Sequence, residues 1–124
     1  MQGFDLSDTL VRVNYESGNV PQAIRDASVI YRPLENFVII TAQQQNAATN
    51  AAVRDMVRIN FPICQHVYII SGGRAEIIQK KAEIIKRLAL SDFTDNNEEI
   101  LAGIKELNTG ATLHIMTADG PKPY

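Results

Sequence analysis

The chain has 124 residues, an apolar fraction of 45% and a formal net charge of −2. This length is close to the commonest domain size, so we expect one domain over residues 1–124 with a substantial buried core. The slightly acidic balance argues against wholesale binding to a nucleic-acid backbone, although it allows a local basic patch.

Cysteine content and hydropathy bear on where the protein works. Cys64 is the only cysteine, so no disulfide can form within the chain. Together with the absence of a signal peptide, this favours a reducing, cytoplasmic setting. No apolar run approaches the roughly 20 residues that a membrane-spanning helix needs, so we expect no membrane partner.

Stretches rich in apolar, β-branched or aromatic residues predict the strands. In chain order they are 1–4, 37–41, 66–71, 90–94 and 111–116. The second is a continuous apolar run that ends at Thr41, which is typical of a strand buried on both faces of a parallel sheet. Residues 11–13 are predicted to form an extended flap, and the residues after 116 a polar tail.

Stretches with apolar residues at helical spacing lie between these strands and predict helices over 21–32, 43–59, 75–88 and 98–107. Pro21 suits a first helical turn, and Pro33 ends that helix at or before the preceding residue. Helical crossovers force the strands that they join to run parallel. The alternation therefore predicts a doubly wound α/β fold, a three-layer sandwich around a central parallel sheet of about five strands.

Polar side chains follow three of the predicted strands. In chain order they are Asp5, Ser7, Asp8, Thr9, Thr41, Asp95 and Asn96. The carboxyl ends of parallel strands lie at one edge of a sheet, so we expect these groups to converge there on one site. On residue type alone, the same side chains also suit turns and helix caps.

Four short motifs lie on this framework. They read FDLSDTL at 4–10, FVIIT at 37–41, KKAEIIKRL at 80–88 and FTDNNEE at 93–99. Together they resemble, in order, the motifs of the haloacid dehalogenase-like (HAD) phosphohydrolases: DxDxT, a strand ending in Ser or Thr, a helical Lys, and an acidic pair after a strand. The resemblance spreads from residue 5 to residue 99 and implies the Rossmannoid fold of that family.

The resemblance implies a Mg²⁺-dependent phosphatase that acts through an aspartyl-phosphate on Asp5. By the same resemblance, the magnesium ligands would be Asp5, the Ser7 carbonyl and Asp95, and Asn96 stands where the family often has a second acidic residue. Oxygen ligands of this kind suit Mg²⁺, which would offset the repulsion between the attacking carboxylate and the phosphate.

The resemblance also assigns the residues that would bind the phosphorylated substrate. Thr41 would hydrogen-bond a phosphate oxygen, and Thr9 is a further substrate-binding candidate. Lys81, or its neighbour Lys80, would neutralise charge on the transferring phosphoryl group. Periodicity does not decide between these two lysines, and both also suit a solvated helix face.

The chain departs from the family at Ser7. Family phosphatases usually have a second Asp there, which acts as general acid and then general base, a role that contributes roughly 10²- to 10⁴-fold. A serine hydroxyl with no base beside it cannot take this role at neutral pH. Asp8 is the adjacent catalytic candidate, although its offset of one residue points it differently. We therefore expect slow hydrolysis.

The segments 10–37 and 41–66 leave no room for the cap domain that family members usually carry. Capless members act on large or exposed substrates, which implies a nucleic-acid end or a phosphoprotein, and the layout is somewhat similar to the phosphatase domain of polynucleotide kinase. An alternative is a catalytically degenerate member that binds phosphate, a protein or a nucleic acid without turnover. A receiver-like domain fits less well, because the strand that should end in its phosphorylated Asp ends here in Ser71. The sequence does not predict the oligomeric state.

Overall fold

A six-stranded sheet forms the centre of the computed structural model, which describes the backbone of residues 1–124 and every side chain except that of Ser17. In chain order the elements are β1 (Gln2–Phe4), β2 (Val11–Arg12), a 3-10 turn (Tyr15–Ser17), α1 (Val20–Arg25), β3 (Ser28–Val29), β4 (Phe37–Ala42), α2 (Ala47–Asn60), β5 (Cys64–Ile70), α3 (Arg74–Arg87), β6 (Asp92–Asp95), α4 (Glu98–Glu106), β7 (Thr112–Thr117) and β8 (Gly120–Pro123). The strand order across the sheet is β5-β4-β1-β6-β7-β8.

The sheet buries an apolar core on each face. Because successive side chains of a strand point to opposite faces, Phe37 and Ile39 of β4 join one core while Val38 and Ile40 join the other. Helices α1 and α2 pack against the first face, and α3 and α4 pack against the second. The result is a three-layer, Rossmann-like α/β fold. Within the described part of the chain, no helix combines the length and apolar character needed to cross a bilayer.

The chain reverses its direction of travel across the sheet beside β1. From β1 it moves outward through β4 to β5, and α3 then returns it to β6 and β7 on the other side of β1. Such a reversal leaves a crevice outside the carboxyl ends of the two strands that flank it. In this sheet those strands are β1 and β6, which pair in parallel.

The predicted helix over 21–32 was wrong in its second half. Helix α1 ends at Arg25, and β3 then pairs antiparallel with β2 in a small ribbon beside the main sheet. The backbone N–H of Ile30 donates to the Leu10 carbonyl at 2.8 Å, so a partner distant in sequence fixes the extended conformation. The extended flap predicted at 11–13 is confirmed for Val11–Arg12 as one half of this ribbon.

Two further boundaries differ from the prediction. The polar tail was wrong, because Gly120 turns the chain with a φ of 97° and β8 then pairs antiparallel with β7. The sheet therefore has six strands rather than about five, and the pair β7–β8 at one border is antiparallel. Helix α2 begins later than predicted, because the side chain of Asn46 accepts a hydrogen bond from the Thr49 amide at 2.8 Å and caps it.

Candidate functional site

Strand pairing brings two acidic residues together at the crevice. Phe4 of β1 is the register partner of Thr94 of β6, so the next residues, Asp5 and Asp95, leave the sheet side by side. The backbone N–H of Asp5 donates to the Thr94 carbonyl at 2.9 Å and fixes the start of the loop. Asp5 is 9% exposed and Asp95 is 1% exposed, so both carboxylates are largely removed from water.

Lys81 of α3 joins these two carboxylates. Its Nζ lies 3.0 Å from Asp5 Oδ1 and 2.8 Å from Asp95 Oδ2, and the residue is 1% exposed. A buried ammonium needs charged or hydrogen-bonding partners, and here it has a carboxylate from each of two neighbouring strands. We call Asp5, Lys81 and Asp95 the carboxylate cluster. Two negative groups and one positive group leave it with a net charge of −1 when all three are ionised.

Lys80 lies outside the carboxylate cluster, although it precedes Lys81 directly. Successive helical residues are about 100° apart around the axis, so neighbouring side chains face different surroundings. Lys80 Nζ donates to the Ser71 carbonyl at 2.7 Å and lies 3.8 Å from a Glu76 carboxylate oxygen. The geometry thus distinguishes the two lysines that periodicity left equivalent, and it puts only Lys81 beside Asp5.

Burial and charge act in opposite directions on the ionisation of the cluster. Burial raises the pKa of Asp5 to about 6; the Lys81 ammonium lowers this pKa, and the Asp95 carboxylate adds to the rise. Burial alone would lower the pKa of Lys81, but the charges of Asp5 and Asp95 outweigh that effect and raise it. Lys81 is therefore a fixed positive charge, and Asp5 is an unusually basic carboxylate.

Asn96 brings a side-chain amide to the other oxygens of the two carboxylates. One terminal atom of this amide lies 3.2 Å from Asp95 Oδ1, 3.2 Å from Asp5 Oδ2 and 3.3 Å from the Ser7 carbonyl oxygen. All three neighbours can only accept hydrogen bonds, so the amide nitrogen faces them. The backbone N–H of Asn97 also donates to Asp95 Oδ1, at 3.0 Å.

Thr9 supports the Asp5 side of the site. Its buried hydroxyl donates to Asp5 Oδ2 at 3.2 Å and lies 3.3 Å from the same terminal atom of Asn96. The loop that carries Thr9 is closed by a 2.9 Å hydrogen bond from the Leu10 N–H to the Leu6 carbonyl. Thr9 therefore holds the carboxylate of Asp5 in place, which is a different contact from the substrate contact expected for it.

Asp8 and the side chain of Ser7 are less closely involved than expected. Asp8 has a φ of 60°, and its largely exposed carboxylate forms a 3.8 Å ion pair with Arg12 on the loop surface. Asp8 therefore contacts Arg12 rather than the carboxylate cluster, and its catalytic role stays a prediction. The Ser7 carbonyl contacts the Asn96 amide, and its role as a metal ligand stays a prediction.

Thr41 ends the neighbouring strand without touching the carboxylate cluster. Strands β1 and β4 pair in parallel with Phe4 opposite Ile39, so Thr41 lies beside the residue that follows Asp5. Its buried Oγ1 accepts a hydrogen bond from Gln43 Nε2 at 3.1 Å. The hydroxyl hydrogen of Thr41 is thus left to donate to another group at this edge of the sheet.

Sequence reasoning missed a cavity of about 470 Å³ next to Thr41. It lies at the carboxyl ends of β4 and β5, and its lining includes Tyr15, Val20, Gln43, Gln44, Ser71 and Ile77. None of these side chains is charged. The only signal in the sequence was their position: two glutamines directly follow β4, and Ser71 directly follows β5.

The oxygen set around Asn96 fits a small hard cation. Two carboxylate oxygens and one carbonyl oxygen lie within 3.2–3.3 Å of one terminal atom of Asn96, and such oxygens are the ligands that Mg²⁺ prefers. Among the described residues there is no group of three or more His, Cys, Asp or Glu side chains that could hold a metal ion. A cation beside these groups would therefore take Asp5, Asp95, the Ser7 carbonyl and Asn96 as ligands, with water or substrate oxygens completing its shell.

Comparison with family models, with curated protein sequences and with solved structures finds no match for this chain. The candidate site has the geometry of the crevice between β1 and β6. That geometry joins residues from three of the four short motifs, in the loop after β1, in α3 and at the end of β6.

Proposed function

We propose that this chain is a capless, HAD-like, Mg²⁺-dependent phosphohydrolase in which Asp5 is the nucleophile. The observation that carries the proposal is the buried contact of Lys81 with both Asp5 and Asp95. Ion pairs of this kind are poor sources of stability, so a buried Asp–Lys–Asp arrangement at a crevice is a functional-site candidate. Its location beside the switch in strand order is where open α/β sheets bind ligands.

The two oxygens of Asp5 have different surroundings, which suggests different roles. Oδ2 faces Thr9 and Asn96, on the side where a cation would rest, while Oδ1 faces Lys81. Oδ1 is therefore the attacking oxygen in this proposal. Above pH about 6 the carboxylate is ionised and has a free electron pair to form a bond to phosphorus.

The proposed reaction has two steps. In the first, Asp5 Oδ1 bonds to phosphorus while the bond from phosphorus to the leaving oxygen breaks; that oxygen keeps the electron pair and takes a proton from water. In the second, water attacks phosphorus, the Asp5 carboxylate leaves, and the water proton passes to solvent. Ser7 stands where a general acid would act, so protonation of the leaving oxygen is the slow point.

The remaining groups would stabilise charge on the transferring phosphoryl group. Lys81 is permanently cationic and already lies 3.0 Å from Asp5 Oδ1, so it would meet the developing charge without rearrangement. The Thr41 hydroxyl retains a hydrogen to donate to a phosphate oxygen. A bound Mg²⁺, held by Asp5, Asp95, the Ser7 carbonyl and Asn96, would offset the repulsion between carboxylate and phosphate.

The open edge of the sheet bears on the substrate. The small ribbon, a 3-10 turn and α1 lie between β1 and β4, and α2 lies between β4 and β5, so both segments that would carry a cap are short. This favours a large or exposed phosphorylated substrate, either a nucleic-acid end or a phosphoprotein. The uncharged cavity beside Thr41 would receive the part of such a substrate next to the phosphate.

Turnover of an aryl phosphate in the presence of Mg²⁺ tests the proposal. We expect slow release of phosphate by the wild-type protein and none above background by Asp5→Asn, which keeps the shape of the side chain but removes the nucleophile. Asp119→Asn is the matched control, because Asp119 lies in the exposed turn between β7 and β8. Equal rates for wild type and Asp5→Asn would falsify Asp5 as the nucleophile.

Ser7 also supports a second candidate, a HAD-like protein that binds phosphate or a phosphorylated partner without turnover. Beryllium fluoride with Mg²⁺ separates the two candidates, because it forms an acyl-phosphate mimic on a reactive carboxylate. A fluorine NMR signal from an adduct that is absent in Asp5→Asn, together with no aryl phosphate turnover, would favour the binding protein. An adduct together with turnover would favour the phosphohydrolase.

A further inference from the structure

Asn96 occupies an unusual hydrogen-bonding position. One terminal atom of its amide has oxygen neighbours at 3.2–3.3 Å from Asp5, Asp95, Ser7 and Thr9. These oxygens come from the loop after β1 and from the end of β6. The amide therefore lies where two parts of the chain that are about 90 residues apart meet.

The donors at this point leave negative charge uncompensated. The amide nitrogen of Asn96 has two hydrogens for the oxygens of Asp5, Asp95 and Ser7. Thr9 Oγ1 also donates to Asp5 Oδ2, and the Asn97 N–H donates to Asp95 Oδ1. All of these donors are neutral, and the Lys81 ammonium faces Asp5 Oδ1 and Asp95 Oδ2 instead. The oxygens that face Asn96 are therefore hydrogen-bonded, but two carboxylates and one ammonium leave a net negative charge beside them when all three are ionised.

The distances of 3.2–3.3 Å around this terminal atom would also suit the amide oxygen of Asn96 as a ligand when a cation is bound. Adjacent oxygen ligands of an octahedral Mg²⁺ lie about 3 Å apart, since each is about 2.1 Å from the ion and they are at right angles. The separations of 3.2–3.3 Å around Asn96 are close to this value. A half-turn of the terminal amide would exchange its nitrogen for its oxygen with little movement of the side chain.

We infer that the Asn96 amide is a cation-responsive switch. Its nitrogen hydrogen-bonds the oxygens of Asp5, Asp95 and Ser7 when no cation is bound, and its oxygen becomes a ligand when Mg²⁺ binds. The inference rests on the proposed function for the presence of the cation, and it adds that this residue makes the cation optional for folding. An amide serves both states, whereas an ionised carboxylate at this position cannot donate.

Replacing the amide by a carboxylate removes one of the two states. We expect Asn96→Asp to bind Mg²⁺ on the order of tenfold more tightly by calorimetry, because a charged ligand replaces a neutral one. We also expect a lower melting temperature in chelator and a larger rise with Mg²⁺ than in the wild type. Binding of Mg²⁺ to the folded state must raise the melting temperature, and tighter binding raises it more.

Asn97→Asp is the matched control. It adds the same charge one residue away, and its carboxylate can still cap α4 by accepting from the Ile100 N–H, as Asn97 Oδ1 does at 3.1 Å. The side chain of Asn97 does not join the oxygens that surround Asn96. We expect its Mg²⁺ affinity to stay within about twofold of the wild type, because a half-buried charge outside the ligand set adds only screened attraction.

Nitrogen-15 NMR on the wild-type protein tests the inference without any substitution. The side-chain NH₂ signals of Asn96 should shift strongly on Mg²⁺ titration, because they lose their carboxylate acceptors. The side-chain signals of Asn60, which donates to the Met56 carbonyl far from the crevice, should stay fixed. This measurement decides the matter if Asn96→Asp does not fold in chelator.

The outcomes separate this inference from the proposed function. If Mg²⁺ binds the wild type, but Asn96 signals do not move and Asn96→Asp binds no more tightly than Asn97→Asp, the switch is overturned while the cation site stands. If Mg²⁺ binds none of the three proteins, the cation of the proposed function and the switch both fail. Tighter binding by Asn96→Asp together with moving Asn96 signals supports the switch.

Discussion

Strand β6 carries an aspartate at each end, and the two differ in almost every physical respect. Asp95, at the carboxyl end, is 1% exposed and is bonded by the Lys81 ammonium. At the amino end, Asp92 lies 2.9 Å from His114 Nε2, and its side chain is 29% exposed. At the exposed end water can replace a lost partner, whereas at the buried end it cannot.

The comparison teaches where to look for function in a fold of this kind. A partly exposed pair such as Asp92 with His114 needs no special explanation, because it contributes little to stability and costs little to form. A buried group of three ionisable residues has a desolvation cost that packing alone does not offset. Its presence at the crevice is therefore more informative about chemistry than about folding.

The largest expected effect comes from removing the Lys81 ammonium at the buried, carboxyl end of β6. Lys81→Met leaves the Asp5 and Asp95 carboxylates buried without their shared partner, so we expect the free energy of unfolding to fall by roughly 3–5 kcal/mol. Urea denaturation measures this change. Adding Asp95→Asn to Lys81→Met should recover part of the lost free energy of unfolding, because it removes one of the two buried, unpaired charges.

Lys80→Met is the control for that experiment, since it deletes the same charge from the preceding position. The Lys80 side chain is 43% exposed, and its partners are a carbonyl and an exposed Glu76, so we expect a change below about 1 kcal/mol. Equal losses for the two lysine variants would contradict the assignment of Lys81 to the buried site.

Adding a carboxylate beside the buried end of β6 tests the comparison through the rate of hydrolysis. Under the proposed function, Ser7→Asp supplies the missing general acid and should speed aryl phosphate hydrolysis by up to about 10²-fold, the low end of what such groups contribute. Ser7→Asn has nearly the shape of Ser7→Asp but cannot act as a general acid. Its rate of aryl phosphate hydrolysis should therefore stay near that of the wild type. A rate for Ser7→Asp that is no higher than for Ser7→Asn would count against the proposal.

The smallest effect belongs to the exposed end of β6. Asp92→Asn should reduce the free energy of unfolding by less than about 1 kcal/mol at pH 6. The hydrogen bond from His114 lowers the pKa of Asp92 below its ordinary value of 3.8, so this contribution exists above that value and disappears as the pH falls through the folded-state pKa. Denaturation of both proteins between pH 6 and pH 3 should show the difference shrinking on acidification.

The sequence alone predicts those elements whose structure depends on their own residues. The apolar run that ends at Thr41 predicts a buried parallel strand because each of its side chains needs a core on one face or the other. The same logic placed Asp5 and Asp95 at one edge of the sheet. Their contact through Lys81 was foreseeable only as a resemblance, since periodicity cannot resolve two adjacent helical residues.

The parts that the sequence did not reveal depend on distant partners. Ser28–Val29 forms a strand because it pairs antiparallel with β2, another segment of the same chain. This tertiary pairing outweighs the helical spacing of its apolar residues. The antiparallel turn into β8 is decided by Gly120, which looked like part of a tail. The contacts of Asn96 involve single amide atoms, a level of detail that residue types and spacing do not carry.

The proline content of β8 makes the two borders of the sheet unequal toward other molecules. Pro121 and Pro123 lack an N–H, so half of this four-residue strand cannot donate a hydrogen bond to an incoming chain. At the opposite border, β5 has no proline over its seven residues. Strand addition by a second molecule, whether in assembly or in aggregation, is therefore discouraged at β8, whereas at the β5 border side chains of Gln45 and Arg54 bond the Ile69 and Val67 carbonyls instead.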